Sequence, residues 1–207
     1  MRPLSMIVAL VVILAFQTLG LAAQNTPKPD QSVLPQDGLA AWDRIFEVVS
    51  HPRCANCHTG PSDRPMWSGP SYGKTRPHGM NIRAGDSRMG VEYVPCATCH
   101  VTVGPEAQND GDAHDAPRVA DAWRLAPVEA HWFGQSSFDI CVQLRDPQRN
   151  GGRSLSELAA HLDHDVILHW AWNPGPGRQP APYSLEEHIQ DLLSWGASGF
   201  PCDKAGQ

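Results

Sequence analysis

The most chemically specific residues of this sequence form two copies of one five-residue pattern, CANCH at 54–58 and CATCH at 96–100. Two cysteines three positions apart lie on one helical turn, so their sulfurs reach the two vinyl groups on one edge of a porphyrin. The histidine that follows gives iron its proximal imidazole ligand. The pattern predicts two covalent haem c groups. Their thioether and proximal iron ligands are Cys54, Cys57 and His58 in the first motif, and Cys96, Cys99 and His100 in the second.

A zinc site built from four cysteines is the main alternative, because two C-x-x-C pairs also describe a zinc ribbon. Three observations favour haem. A histidine follows both pairs, and the gap from Cys57 to Cys96 is longer than the roughly 15–20 residues typical of ribbons. Export to an oxidising compartment also suits haem attachment better than a thiolate zinc site. Two disulfides within the motifs would leave both histidines unexplained.

Two further cysteines, Cys141 and Cys202, lie outside the motifs. In an exported protein such a pair is usually a disulfide, and we predict one here. The alternative is that Cys141 is a thiolate ligand to a haem iron.

A low-spin electron carrier needs a second axial ligand on each iron. His78 and Met80 lie between the two motifs, in the segment PHGMN at 77–81, and a loop rich in Gly and Pro can bring either side chain over a haem face. We expect one of the two to bind iron and favour His78. A methionine ligand would raise the reduction potential relative to a second imidazole.

The candidates for the other iron are His161 and then His164, three residues apart on a predicted helix. His51, three residues before Cys54, is a weaker candidate and ranks after Met80. The sequence does not decide between His161 and His164. His169 lies in an aromatic stretch and is expected to be a packing residue.

The first 23 residues combine an early Arg2, an apolar run and small residues before Gln24. This order is typical of a cleaved secretory signal peptide, and we predict a periplasmic protein. A retained membrane anchor is the alternative, although a spanning helix needs about 20 apolar residues. Without the signal, the mature chain is not expected to span a membrane. Residues 24–37 hold three prolines and are predicted to be a flexible tether.

The charge balance is acidic. The chain has 16 basic and 22 acidic residues, and loss of Arg2 with the signal removes one basic residue more. This balance argues against nucleic acid as a partner. It suits docking on basic surfaces of redox proteins, where charge orients the partners and speeds their encounter.

The regular structure is predicted to be mainly α-helical and loop-rich, built around the two haems. Trp42, Ile45, Phe46 and Val49 form one apolar stripe that ends before Pro52. Three further helices are expected to begin near Ser136, Ser154 and Ser184, the last two with capping boxes and the last ending at Gly196. No strand is predicted. We therefore divide the mature chain into a dihaem-binding region, 38–135, and a helical region, 136–207, that packs on the haems.

Four segments carry a resemblance to a known family: IFEVVSHPRCANCH at 45–58, PHGMN at 77–81, LRDPQRNGGRSLSELAAHLDHD at 144–165 and WAWNPG at 170–175. Together they resemble small proteobacterial dihaem proteins described as the cytochrome-like subunit of isoquinoline 1-oxidoreductase, a molybdenum hydroxylase. The resemblance implies an acceptor for electrons that leave a molybdenum and iron–sulfur enzyme. The family pattern has a histidine beside the tryptophan here numbered Trp123, where this chain has Ala122, so no ligand is expected from that loop.

A looser similarity links the chain to the small dihaem subunit of periplasmic nitrate reductase, which also has two C-x-x-C-H motifs with a histidine between them. That similarity implies bis-His ligation and favours His78 over Met80. It does not extend to the last third of the chain.

The expected function is transfer of single electrons between an oxidoreductase subunit and a downstream acceptor, without a substrate of its own. The alternative is a small dihaem enzyme, of peroxidase or thiosulfate-oxidising type, with one labile axial position. Such an enzyme needs acid–base groups beside an open iron, and no such constellation is evident in the sequence. A haem-based sensor is the least favoured class, because no signalling domain is present.

Overall fold

The computed structural model describes residues 35–101, 116–117 and 122–203. The predicted signal peptide, 1–23, and most of the predicted tether, 24–37, lie outside these residues. The described chain is mostly helical and loop-rich, as predicted. Its helices are α1 (Pro35–Val49), α2 (Pro52–Ala55), α3 (Ser137–Arg145), α4 (Leu155–His164), α5 (Val166–Trp172) and α6 (Leu185–Ala197).

The expectation of no strand was wrong in one place. Two short strands, β1 (Met66–Trp67) and β2 (Arg76–Pro77), pair antiparallel, with Met66 opposite Pro77 and Trp67 opposite Arg76. Each strand has two residues. That length is too short to show the alternating pattern by which a strand is recognised in a sequence.

Helix α1 contains the predicted apolar stripe, and it begins earlier along the chain than expected. Trp42, Ile45 and Val49 are buried, and the helix ends at Val49, just before Pro52. Its first residue is Pro35, so the last three residues of the predicted tether belong to the helix. Proline is well tolerated in the first helical turn, because the backbone N–H groups there have no intrahelical partner.

The core of the described chain lies between α1, α3 and α6. The indole rings of Trp42 and Trp195 are 5.0 Å apart between centroids. Each indole N–H has a partner: that of Trp42 donates to Ser137 Oγ (2.8 Å), and that of Trp195 donates to the Pro201 carbonyl (2.9 Å). A buried tryptophan keeps its stabilising apolar area only when this N–H is satisfied, so the two bonds support the packing.

Serine caps begin three of the C-terminal helices at the predicted places. Ser136 Oγ accepts from the Asp139 backbone at the start of α3. Capping boxes open α4 at Ser154 and α6 at Ser184, each completed by the glutamate three residues later. These three predictions are confirmed.

Gly196 has a different role from the predicted helix stop. Helix α6 continues to Ala197, and a Cβ at position 196 would collide with the Leu155 side chain at the start of α4. The glycine therefore permits close approach of α4 and α6.

The structure confirms the predicted disulfide between Cys141 and Cys202. Their Cα atoms are 5.8 Å apart and the residues are separated by 61 positions. The bond joins the fully buried Cys141 of α3 to the segment that follows α6. Because its sulfur is bonded to Cys202, Cys141 is not available as a thiolate ligand to iron.

Loss of this disulfide should destabilise the protein markedly. We expect the double variant Cys141→Ala, Cys202→Ala to lose about 2–4 kcal/mol of unfolding free energy, because the bond restricts a long loop in the unfolded chain. Urea unfolding followed by tryptophan fluorescence measures this loss. An unfolding free energy equal to that of the wild type would contradict a stabilising role for the bond.

Among the residues that the structure describes, no helix has the length and apolar character needed to cross a bilayer.

Candidate haem-binding site

Both C-x-x-C-H motifs fold as a single helical turn with the same backbone hydrogen bonds. In the first, the N–H groups of Cys57 and His58 donate to the Cys54 carbonyl, at 3.1 and 3.2 Å. In the second, the N–H groups of Cys99 and His100 donate to the Cys96 carbonyl, at 3.2 and 2.9 Å. The two cysteines and the histidine of each motif are therefore held within one turn, which is the arrangement that attachment to a porphyrin edge requires.

The four motif cysteines are free thiols in the structure. Burial raises the pKa of Cys54 to about 12 and that of Cys57 to about 11, and it also raises the pKa of Cys96. These thiols therefore keep their protons at neutral pH. Within 35–101, 116–117 and 122–203, no three His, Cys, Asp or Glu side chains are grouped so as to hold a metal ion, so the geometry gives no support to a four-cysteine zinc site.

The imidazole of His58 is fixed by two contacts from beyond its own motif. Its Nδ1 donates to the Ala130 carbonyl (3.1 Å), and its ring stacks on Trp132 with centroids 3.4 Å apart and planes inclined by 4°. The Trp132 indole is held in turn by the Gln143 side chain, at 2.7 Å. Since a carbonyl only accepts, the proton lies on Nδ1, and Nε2 keeps its lone pair for a metal.

His100 is held in the same way. Its Nδ1 donates to the Pro117 carbonyl (3.0 Å), and its ring stacks on Trp123 with centroids 4.5 Å apart and planes again inclined by 4°. Metal-binding histidines commonly donate their second N–H to a carbonyl, which fixes the tautomer and the ring orientation. The molecule thus contains two equivalent preorganised imidazoles, one in each motif.

Both imidazoles are neutral in this environment. Burial lowers the pKa of His58 to about 3 and that of His100 to about 4. A neutral imidazole is the form that binds iron.

His78 lies close to His100, with the two ring planes inclined by 62°. Their ring centroids are 6.4 Å apart. Two imidazoles bound to opposite faces of one iron, with metal–nitrogen bonds of about 2 Å, have centroids about 6 Å apart. His78 is positioned by its Nδ1 bond to the Gly79 carbonyl (3.0 Å) and by the Trp67 ring at 4.6 Å. The separation therefore fits a pair of axial ligands.

Met80 lines a cavity that also contains His78 and His100, and it is largely exposed to solvent. The residue is 79% exposed and has a positive φ of 56°. Both predicted ligands in this loop line the cavity, but only the His78 ring contacts His100, whereas Met80 is largely exposed.

The structure distinguishes His161 from His164, the two candidate ligands on α4 for the iron of the first motif. His161 is half-buried and close enough to His58 for its charge to lower the pKa of that residue. The His164 side chain is 77% exposed and lies 3.4 Å from the Asp163 carboxylate. His161 is thus the one brought near the first motif.

His51, the remaining candidate, serves as the N-cap of α2. Its Nδ1 accepts from the Arg53 backbone N–H at 3.3 Å. This contact uses the nitrogen lone pair within the helix cap.

A cavity of about 240 Å³ adjoins the second motif. Most of its walls are apolar or aromatic, and its lining includes two arginines and no carboxylate. Haem is a flat apolar ring with two carboxylate tails, so this lining fits it. The residues that bear on the fit are Trp67, His78, Cys96, Cys99, His100, Trp123, Trp170, Arg53 and Arg124.

The chain was compared with protein-family models, with curated proteins and with solved structures, and none of the three comparisons found a match.

Proposed function

We propose that this protein is a c-type cytochrome with two haems that transfers single electrons between redox partners. The observation that carries the proposal is the duplicated site. Each C-x-x-C-H turn presents a neutral histidine whose Nδ1 donates to a carbonyl and whose ring stacks on a tryptophan. A chance occurrence of the motif would not bring the same supporting contacts twice.

Bound haem would supply a one-electron Fe(III)/Fe(II) couple, which takes an electron from a donor and gives it to an acceptor. The residues of this chain contribute attachment and ligation. Cys54 and Cys57, and likewise Cys96 and Cys99, would hold one haem by thioether bonds. His58 and His100 would be the proximal ligands, with His161 and His78 respectively on the distal faces.

The proximity of the two motifs supports a relay. Cys57 of the first motif lines the cavity that also contains Cys96, Cys99 and His100 of the second. Cys57 and Cys96 are close enough for the charge of one to affect the pKa of the other. An electron that enters at one haem would therefore have a short path to the other.

A second imidazole lies near each predicted proximal histidine. This arrangement also supports electron relay over an enzymatic function. If His78 and His161 occupy the sixth positions, neither iron has an open site for a substrate.

We further propose, from the sequence, that the protein is periplasmic and works with an oxidoreductase subunit and a downstream acceptor. The resemblance to cytochrome-like subunits favours a molybdenum hydroxylase as the donor.

An optical redox titration of the mature protein, produced with a c-type haem maturation system, tests the proposal. We expect two haems per chain and two one-electron steps with low-spin spectra. The spectrum should lack the band that marks sulfur-to-iron charge transfer. A large high-spin fraction in the oxidised protein would favour the enzyme alternative, and a chain that binds zinc and no haem would overturn the proposal.

A further inference from the structure

The lining of the cavity beside the second motif has an unusual charge. The chain holds more acidic than basic residues, 22 against 16, yet this lining contains Arg53 and Arg124 and no aspartate or glutamate. The two arginines differ in environment. Arg124 is exposed, whereas Arg53 is half-buried on α2.

Two contacts fix the guanidinium of Arg53 at the cavity wall. The Arg53 Nε donates to the Gln179 carbonyl at 2.7 Å, and the guanidinium carbon Cζ lies 4.8 Å from the centre of the Trp170 ring. Burial lowers the pKa of Arg53, while a hydrogen bond with Tyr72 raises it. The contacts orient the group, and neither the Gln179 carbonyl nor the Trp170 ring supplies a carboxylate.

The positive charge of Arg53 has no carboxylate partner in the described part of the chain. The ion pairs there involve other residues, and the charged neighbour Arg178 lowers the pKa of Arg53 further. A partly buried cation is unfavourable unless an anion compensates it. The guanidinium fork is well suited to a carboxylate, which it can bind with two parallel hydrogen bonds.

From these observations we propose that Arg53 binds a propionate of the haem attached to Cys96 and Cys99. The assignment rests on the proposed function and adds a residue to it. Arg53 enters the cavity from α2, a different element from the one that carries these two cysteines. The vinyl groups and the propionates lie on opposite edges of haem, so attachment at one element leaves the carboxylates for another.

A fixed positive charge near the iron stabilises the reduced form, whose charge is lower by one unit. In the holoprotein, Arg53→Gln should therefore lower the equilibrium constant for reduction of this haem about tenfold. For one electron this equals a fall of about 59 mV in its potential. Arg53→Lys keeps the charge and should change the constant by less than about threefold.

The measurement is a potentiometric titration of both haems. The step of the second haem is identified by the His78→Met variant, which should move that step alone. The matched control is Arg145→Gln, which removes one exposed arginine at the end of α3 and should leave both steps in place. The proposal is overturned if Arg53→Gln leaves the second haem unchanged, or if Arg53→Lys lowers its potential as much as Arg53→Gln.

A crystal structure of the wild-type holoprotein provides a test without a variant. We expect an Arg53 nitrogen within about 3.2 Å of a propionate oxygen. A propionate turned away from Arg53 overturns the proposal even if the variants fail to fold. Haem content separates the two levels of inference: a wild-type chain without haem refutes the proposed function, whereas two haems with no Arg53 contact refute this assignment alone.

Discussion

Replacement of Cys96 and Cys99 by serine should reduce the covalent haem content from two per chain to one. Attachment depends on both sulfurs of one turn, and serine cannot form the thioether bonds. Cys54→Ser with Cys57→Ser should cause the same loss at the other motif. Haem absorbance in alkaline pyridine per mole of chain, with the intact mass of the protein, measures both results. The two variants should differ in potential, because each retains a different haem.

The double variant Cys141→Ala, Cys202→Ala is the matched control for this experiment. It also removes two cysteines, but they form the disulfide outside the motifs, so it should keep both haems. Two covalent haems in either motif variant would contradict the assignment. So would loss of both haems from either variant while the chain stays folded.

Removal of a distal imidazole should convert one haem to a high-spin form. His78→Ala should do this at the second motif, because the His78 ring lies 6.4 Å from that of His100. His161→Ala should do it at the first motif, where His161 lies near His58. Electron paramagnetic resonance of the oxidised proteins measures the fraction of each spin state, and each variant should show about half of its iron as high-spin.

His164→Ala and Met80→Leu are the matched controls, because both residues are exposed beside a favoured ligand. Both variants should stay fully low-spin. High-spin haem in His164→Ala would move the first distal ligand to His164. The same result in Met80→Leu would replace His78 by Met80 and imply a higher potential for that haem.

Local patterns predicted the helical parts of the fold well. The capping boxes at Ser154 and Ser184 are confirmed because their hydrogen bonds involve residues only three positions apart. The disulfide was predictable for another reason, since only Cys141 and Cys202 remained outside the motifs. Helix α5 was missed. Its N-cap, Asp165, follows directly on α4, so no loop marks the boundary.

The supporting contacts of the candidate site could not be predicted. His58 and His100 donate to the backbone carbonyls of Ala130 and Pro117, and any residue supplies such a carbonyl. The stacked tryptophans come from a stretch without helical or strand periodicity, so nothing in the sequence placed them under the imidazoles. The choice between His161 and His164 likewise depends on how α4 is turned toward the first motif, which is a property of tertiary packing.

The six cysteines fall into three sequential groups along the chain: the free thiols 54 and 57, the free thiols 96 and 99, and the disulfide between 141 and 202. Six thiols in an oxidising compartment allow many wrong pairings. The N-terminal part of the chain emerges first, so both motif pairs are exposed to the oxidising compartment before Cys202. Under the proposed function, thioether formation can therefore consume four thiols first. Cys141 and Cys202 then have only each other. Correct oxidation of this protein is in that case a matter of timing during synthesis, and it needs no later reshuffling of bonds.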